Sequence, residues 1–257
     1  MSAGESVPEI EITGLRKQYG SAPAVLQSVN LTVAKREFIT LLGPSGCGKS
    51  TILKLIAGLT APSGGEIRVD GMTPLNARET MSFVFQDATL LPWRTVTQNI
   101  ALGLELERVE AARREKEVAG LMELVGLQHV AQSYPRELSG GMKMRVSIAR
   151  ALATSPRLML LDEPFAALDE MTRDRLNEEI LRLRAEQNWT AVFVTHSVPE
   201  AVFLSDRIIV LAPNPGRIHA EFHVDLPAPR NSAVRNSPEF DAMASRVAHS
   251  LRETLRP

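Results

Sequence analysis

Short, continuously apolar runs alternate along this chain with longer segments in which apolar residues recur at helical spacing. Runs of this kind, bounded by polar or turn residues, are typical of strands buried on both faces of a parallel sheet. They lie at 38–42, 81–85, 158–162, 191–195 and 208–211. A different pattern, strict alternation of apolar and polar residues, predicts two strands between Glu9 and Val33 and edge strands at 66–71 and 217–226.

Helical spacing dominates the rest of the chain. Residues 52–57 predict a helix directly after the first buried run, and 169–187 predict a long helix with Leu176, Ile180 and Leu183 on one face. We expect the polar face of this long helix to be solvated surface. That face comprises Arg173, Asp174, Glu178, Glu179 and Arg182.

The block from Thr95 to about Thr154 contains helical patterns and no strand pattern. It interrupts a chain that otherwise alternates strands and helices, so we expect a helical subdomain inserted into an α/β core. After the last edge strand, a proline- and asparagine-rich connection precedes a final predicted helix at 240–255.

Bulk composition excludes several classes of protein. The 257 residues carry a formal net charge of −1 and are 44% hydrophobic, so no basic surplus favours nucleic acid as a partner. No apolar run approaches the roughly 18 residues that a membrane span needs. The acidic segment from Met1 to Glu11 lacks the layout of a signal peptide. We therefore expect a protein that does not cross a membrane by itself.

A glycine-rich segment follows the first buried strand and opens the helix after it. It fits the pattern G-x-x-x-x-G-K-[ST] in the strand–turn–helix context that this pattern requires. Its residues are Gly43, Pro44, Ser45, Gly46, Cys47, Gly48, Lys49, Ser50 and Thr51. Backbone N–H groups and the helix N-terminus would cradle phosphates, Lys49 would reach the β- and γ-phosphates, and Ser50 would hold Mg²⁺. The sequence thus predicts a nucleotide-binding α/β fold with a P-loop NTPase (RecA-like) core.

Cys47, the single cysteine, lies inside this loop. The surrounding N–H groups could lower the pKa of its thiol, in which case ATP should protect it from alkylation. The alternative is that a small residue simply fits there. A single cysteine also excludes an internal disulfide and fits a reducing compartment.

Two further motifs carry chemistry. Asp162 and Glu163 end a buried strand, where one carboxylate can hold Mg²⁺ and the next can activate an attacking water. Ser139 is a natural N-cap, and Gly140 and Gly141 follow it at the start of a helix, which predicts a second anion site without a lysine. Because one nucleotide cannot easily use both sites of one subunit, we expect the second site to act on a partner subunit.

In this order the motifs resemble those of the ATP-binding subunits of ATP-binding cassette (ABC) transporters, over roughly residues 9–226. The matching elements are Tyr19, GPSGCGKST (43–51), Gln86, LSGGM (138–142), LMLLDEP (158–164), AALD (166–169) and His196. The resemblance implies the ABC ATPase fold, with an antiparallel β subdomain beside the core. It also implies an ABC ATPase domain at 9–230, with a core at about 9–94 and 155–226 and a helical subdomain at about 95–154. Residues 231–257 would be a C-terminal helical tail.

The resemblance also implies roles for these residues. Tyr19 would stack on adenine, and Gln86 would touch Mg²⁺ and the attacking water. Glu163 would be the general base, and His196 would contact the γ-phosphate. Ser50 and Asp162 would organise Mg²⁺, Ser139 and Gly141 would act across a dimer interface, and Asp169 would couple the two sites. Met142 and Ala166 depart from residues frequent in the family, but neither replaces a phosphate ligand, so we expect hydrolysis to be retained.

The segment Leu90-Leu91-Pro92-Trp93 follows Gln86 closely and allows two interpretations. It could be a turn packed into the core. It could instead be a docking groove for a cytoplasmic helix of a membrane permease, with Leu90, Leu91 and Trp93 in contact and Trp93 as anchor. A pair of histidines, His219 and His223, lies on one face of the 217–226 edge strand without further metal ligands, and we expect plain surface there.

The segments 83–93, 138–142 and 214–230 together resemble the nitrate, sulfonate and taurine importer branch of the family. This implies a peripheral subunit at the cytoplasmic face of the cell membrane. Its partners would be a second copy, a permease and, indirectly, a solute-binding protein. Two alternatives remain open: a soluble ATPase of the same superfamily, for example in cofactor assembly, and an exporter or lipid-trafficking ATPase.

Overall fold

The computed structural model describes residues 7–255, so the predicted absence of a signal peptide falls mostly outside the described residues. Within this range the chain forms nine β-strands and eight α-helices. The strands are β1 (Ile10–Lys17), β2 (Leu26–Val33), β3 (Phe38–Leu42), β4 (Gly64–Val69), β5 (Met81–Val84), β6 (Leu158–Asp162), β7 (Thr190–Thr195), β8 (Arg207–Ala212) and β9 (Arg217–His223). The helices are α1 (Lys49–Ile56), α2 (Val96–Leu106), α3 (Ala111–Leu124), α4 (Gly140–Leu152), α5 (Glu170–Gln187), α6 (Val198–Leu204), α7 (Ser232–Arg235) and α8 (Pro238–Glu253).

The strands form two sheets. A six-stranded sheet has the order β5-β6-β7-β3-β8-β9, in which the first five strands run parallel and β9 is antiparallel to β8. A three-stranded antiparallel sheet has the order β2-β1-β4. The predicted α/β fold with an antiparallel β subdomain is confirmed by this topology.

The central strands are buried on both faces because alternate side chains enter two different hydrophobic cores. Ile39 and Leu41 of β3 join a core that also contains α1 and the three-stranded sheet. Phe38 and Leu42 point to the other core, shared with α5, α6, α8 and the helices α2 to α4. All five residues of β3 are therefore inaccessible to solvent. The run is continuously apolar because alternate residues enter different cores, so both faces of the strand need apolar side chains.

The helical block lies between β5 and β6, as the sequence predicted. Helices α2, α3 and α4 follow one another without a strand, and α2 packs against both α3 and α4. Thr95 caps α2 in a capping box with Gln98. The predicted edge strand at 217–226 ends earlier than expected, at His223.

The sheet order brings several chain segments to one place. In the parallel register Leu42 pairs with Thr195, and Asp162 pairs with Val194. The ends of β3, β6 and β7 consequently lie side by side at one edge of the sheet. In open α/β sheets, ligands bind outside the carboxyl ends of the strands.

Candidate functional site

The loop between β3 and α1 has the backbone geometry of an anion cradle. Gly46 and Gly48 have φ values of 80° and 95°, which side-chain-bearing residues rarely adopt. Gly48 is also the N-cap of α1, and a Cβ atom there would lie 2.4 Å from Leu26 Cδ2. The loop therefore needs glycine at this position, and it ends at a helix N-terminus, where the positive end of the helix dipole favours anions.

Lys49 is buried at the start of α1, and its charge is held inside the loop. Its Nζ donates hydrogen bonds to Gly43 O at 2.7 Å and to Pro44 O at 3.0 Å. These two bonds fix the ammonium group next to the cradle. The side chain that the sequence predicted to reach the phosphates is therefore already in position.

Cys47 does not have the activated thiol that one interpretation predicted. The side chain is fully buried in the core between the two sheets. Burial raises the pKa of the Cys47 thiol, and the nearby Lys49 charge only partly opposes this. The alternative interpretation, a small residue that fits the loop, agrees with this position.

This burial changes the expected chemistry of Cys47. We expect N-ethylmaleimide to modify the folded protein slowly, at the same rate with and without ATP, because the thiol is both inaccessible and protonated. Mass spectrometry of the alkylated fraction over time would measure these rates. The urea-unfolded chain is the control and should react rapidly. Fast labelling of the folded protein that ATP suppresses would restore the first interpretation.

Ser50 and Asp162 meet across the site. Ser50 Oγ donates a hydrogen bond to Asp162 Oδ1 at 2.8 Å, joining the first turn of α1 to the end of β6. Burial raises the pKa of the Asp162 carboxyl, while the Ser50 hydrogen bond lowers it. A hydroxyl and a carboxylate oxygen in contact are hard ligands, which is the donor set that Mg²⁺ prefers. The two residues therefore fit the predicted metal role.

Glu163 and His196 also lie together. His196 Nδ1 is 3.2 Å from Glu163 Oε2, and the Glu163 backbone N–H donates to Val194 O at 3.0 Å. Glu163 has a φ of 47°, an uncommon conformation for a residue with a side chain. A carboxylate held by a histidine at the end of adjacent strands can act as an oriented general base.

The remaining predicted residues around the loop are surface-exposed. Gln86 follows β5, whose Val84 pairs with Leu161, so Gln86 leaves the sheet at the same edge as Glu163. Tyr19 lies in the connection between β1 and β2 and is 47% exposed, with Lys17 Nζ 4.5 Å from its ring centroid. The Tyr19 ring is therefore partly accessible, with the Lys17 ammonium over one of its faces.

The second predicted anion site lies elsewhere. Ser139 caps α4 by accepting a hydrogen bond from Met142 N at 3.3 Å. Asp169 caps α5 by accepting from Thr172 N at 2.9 Å, and this bond lowers the pKa of Asp169. A cavity of about 360 Å³ lies between the two caps. It is lined by Ser139, Gly140, Gly141, Met142, Arg145, Ala167, Leu168, Asp169 and Thr172.

The described residues that line this cavity include none from the phosphate loop. The structure therefore places the two predicted anion sites in separate surroundings within one copy. This arrangement agrees with the expectation that the second site serves another subunit.

The segment 88–94 presents an exposed aromatic side chain on a fixed backbone. Trp93 is 70% exposed, so it is not a core residue, whereas Leu90 packs partly against the core. Asn99, fully buried, accepts from Leu91 N at 2.8 Å and donates to Leu91 O. Arg150 donates to the backbone carbonyls of Ala88 and Thr89. Neither Asn99 nor Arg150 was singled out in the sequence. Asn99 holds a nearby turn, and Arg150 holds a segment about 60 residues earlier in the chain.

The polar face of α5 is not simply solvated, and in this respect the sequence-based expectation is wrong. Arg173 donates to Leu168 O at 2.9 Å and lies 3.3 Å from Glu200 Oε1. Asp174 pairs with Arg235 of α7 at 3.0 Å. Arg182 does match the expectation, since it is exposed and its ion pairs are with Glu179 and Glu186 of its own helix.

The histidines of β9 occupy the surface that the sequence predicted. His219 and His223 both point to the more exposed face of the strand, and His219 Nε2 lies 3.8 Å from Glu253 Oε2. Across residues 7–255 no group of three or more histidine, cysteine, aspartate or glutamate side chains is arranged to hold a metal ion. In the same range none of the helices combines the length and apolar content that a bilayer crossing requires.

Known proteins are similar to this chain in both sequence and fold. The family model described as ABC transporter matches residues 26–166. The aliphatic sulfonates import ATP-binding protein SsuB of Bacillus licheniformis is 47% identical over 231 residues, which are 90% of this chain and 88% of that protein. The bicarbonate transport ATP-binding protein CmpC of Synechocystis is 45% identical over 92% of this chain but only 36% of its own length.

A solved structure supports the same assignment. A dimeric ATP-binding cassette in a post-hydrolysis state, bound to ADP and Pi, superimposes with a TM-score of 0.77 at 32% identity. The match covers 84% of this chain and 98% of that one. The family model spans more than half of the chain, and the relatives align over nearly all of it. This chain belongs to the ABC transporter family and is one of its ATP-binding subunits.

Proposed function

We propose that this chain hydrolyses ATP to drive an ABC importer of small anions, of the nitrate, sulfonate or taurine type. The observation that carries the proposal is the convergence of Lys49, Ser50, Asp162, Glu163 and His196 at one edge of the parallel sheet. The choice of cargo rests on the names of relatives such as SsuB, at 47% identity. The proposed division into an ABC ATPase domain at 9–230 and a tail at 231–257 follows the same resemblance.

ATP would bind with its phosphates in the loop at 43–51 and its adenine on Tyr19. The buried ammonium of Lys49 would neutralise charge on the β- and γ-phosphates. Ser50, Asp162 and Gln86 would hold Mg²⁺, which when bound neutralises charge on the phosphate oxygens. The hydroxyl–carboxylate contact between Ser50 and Asp162 supports this metal site.

Glu163 would accept the proton of the attacking water. Its Oε2 is already held by His196 Nδ1, so the carboxylate is oriented before the reaction begins. His196 is exposed on its other side and would reach the γ-phosphate. Phosphoryl transfer depends on such positioning and charge stabilisation rather than on a covalent intermediate.

A second copy would complete each site. Ser139 and Gly141 line a cavity apart from the phosphate loop, so they would act on ATP bound to the facing copy. Asp169, in the same cavity wall, would couple the two sites. The dimeric cassettes with which this chain superimposes support this arrangement. ATP would thus close the dimer, and hydrolysis would open it.

The permease would dock on the segment that ends in Trp93. The backbone there is held by Asn99 and Arg150, so the side chain is presented rigidly. Gln86 lies a few residues before it, which would connect the nucleotide site to the docked helix. This subunit would then lie on the cytoplasmic face of the membrane and meet a solute-binding protein only through the permease.

The proposal is tested by assembly and transport. The gene should be co-expressed with its neighbouring permease, and the complex reconstituted in liposomes with the solute-binding protein. We expect ATP-dependent uptake of radiolabelled taurine, an alkanesulfonate or nitrate. ATP-dependent accumulation of the solute inside inside-out vesicles, without a binding protein, would indicate an exporter. ATPase activity from a chain that never co-purifies with a membrane protein would indicate a soluble member of the superfamily.

Truncating Trp93 to alanine should uncouple transport from hydrolysis. A buried interface tryptophan contributes about 2 kcal/mol or more, so permease affinity should fall roughly thirtyfold. We expect uptake to drop while the ATPase activity of the isolated subunit stays unchanged, as measured by paired transport and phosphate-release assays. Leu59, also exposed and apolar at 54%, is the matched control. Full coupling in the Trp93→Ala complex would exclude Trp93 as the anchor.

A further inference from the structure

A polar cluster between α5 and α6 joins two turns that belong to different parts of the proposed site. One is the turn after β7, which carries His196. The other is the turn before α5, which carries Leu168 and Asp169. The cluster consists of Arg173, Thr195 and Glu200, all half-buried or buried.

On the histidine side, the hydroxyl of Thr195 binds both the backbone of Ser197 and the carboxylate of Glu200, and His196 lies between Thr195 and Ser197. Thr195 Oγ1 donates a hydrogen bond to Glu200 Oε2 at 2.5 Å. The same oxygen accepts a hydrogen bond from Ser197 N at 3.0 Å. The turn that presents His196 is therefore anchored to the Glu200 carboxylate, in the first turn of α6.

On the other side, a guanidinium group reaches the turn before α5. Arg173 Nη2 donates a hydrogen bond to Leu168 O at 2.9 Å. Arg173 Nε lies 3.3 Å from Glu200 Oε1, but its N–H does not point at that oxygen, so the contact is an ion pair rather than a hydrogen bond. The Glu200 carboxylate thus touches Thr195 with one oxygen and Arg173 with the other.

Glu200 is a buried carboxylate whose burial the cluster only partly compensates. Burial raises the pKa of Glu200, while the Thr195 hydrogen bond and the positive charge of Arg173 lower it. A buried carboxylate that loses its partner is strongly unfavourable, so the two residues hold each other in place. Loss of either partner is therefore expected to disturb the cluster more than loss of an exposed surface pair would.

We propose that Arg173 and Glu200 are positioning residues for ATP hydrolysis, which fix the His196 turn relative to the Leu168–Asp169 turn. This role rests on the proposed function. His196 holds Glu163 within one copy. Asp169 borders the cavity that, in the proposed dimer, would face the second copy. The Arg173–Glu200 pair would keep the two in register as the dimer closes. A mutation far from the reacting atoms that misplaces them by about 1 Å can cost on the order of a hundredfold in rate.

The test separates turnover from binding. In Arg173→Met and Glu200→Gln we expect kcat for ATP to fall about ten- to a hundredfold, while the Kd for a fluorescent ATP analogue stays unchanged. The double variant should be no slower than the slower single variant, because both changes break one link. Arg173→Lys keeps the charge and should recover part of kcat. Arg182→Met, on the exposed face of the same helix, is the matched control and should match the wild-type protein.

Failure of the positioning role and failure of the proposed function would give different results. Unchanged kcat in folded Arg173→Met and Glu200→Gln would overturn the positioning role. A loss of kcat would also overturn this role if ATP affinity and melting temperature fell with it, because that combination indicates general destabilisation. If a charged-pair variant does not fold, Thr195→Val removes the hydroxyl between Glu200 and the His196 turn at nearly constant volume. Normal kcat in Thr195→Val would then refute the link. A wild-type protein without ATPase activity would instead refute the proposed function.

Discussion

Replacing Glu163 by glutamine is expected to lower ATP turnover by about 10²–10⁴-fold, the range that a positioned general base contributes. Glutamine keeps the size and the polar contact with His196, but its amide cannot accept the proton of the attacking water. The Glu163 carboxylate is not among the groups that hold the phosphates, so ATP affinity should remain at the wild-type level. The variant should therefore bind ATP, close the dimer and stay closed.

Three measurements define this result. Phosphate release gives the turnover, a fluorescent ATP analogue gives the affinity, and size-exclusion chromatography with ATP gives the dimer fraction. Glu186→Gln, an exposed carboxylate of α5 paired with Arg182, is the matched control and should behave like the wild-type protein. Turnover retained in Glu163→Gln would remove Glu163 from the role of base and leave the contact with His196 a structural one.

The parts of the fold that were predicted correctly depend on local patterns. The run Phe38–Leu42 is apolar throughout because both faces of β3 are covered, and the glycines at 46 and 48 mark a backbone that only glycine adopts easily. The motif order then identified the ends of β3, β6 and β7 as the site. The parallel pairing that brings those ends together is a consequence of the α/β arrangement itself.

The parts that were not predicted depend on contacts distant in sequence. Arg173 lies on a helix face that the sequence predicts to be solvated. Only the fold places Arg173 beside Glu200, 27 residues later in the chain. Cys47 is the opposite case. Its position in a glycine-rich loop suggests an activated thiol, but its side chain lies in the core, where burial raises the pKa of the thiol. A one-dimensional pattern records spacing along the chain but not which direction a loop side chain takes.

The Leu90–Trp93 segment lies between these cases. Its apolar character is local and visible, but a core turn and a docking surface share that composition. The deciding fact is the 70% exposure of Trp93, beside a backbone that Asn99 and Arg150 hold by hydrogen bonds. Exposure of a large aromatic side chain on a rigid segment favours an interface over a core role.

Replacing Lys49 by alanine should remove nucleotide binding rather than turnover alone. The ammonium group is held by Gly43 O and Pro44 O beside the cradle, so its charge would lie next to phosphates bound in the loop. Hydrogen bonds to a charged group contribute about 1.5–3 kcal/mol each, which corresponds to a loss of roughly ten- to more than a hundredfold in ATP affinity. Isothermal titration with ATP and Mg²⁺ would measure this change.

Two controls separate the lost charge from a damaged loop. Lys116→Ala, on the exposed face of α3, should leave ATP affinity unchanged. Lys49→Ala loses the bonds to Gly43 O and Pro44 O, so its melting temperature without nucleotide should fall, and circular dichroism should show that the variant keeps the wild-type fold at the temperature of the titration. Unchanged ATP affinity in a folded Lys49→Ala protein would place the phosphates outside the loop at 43–51. The contrast with Glu163→Gln is then diagnostic, since Glu163→Gln should bind ATP normally without hydrolysing it, whereas Lys49→Ala should bind ATP much more weakly.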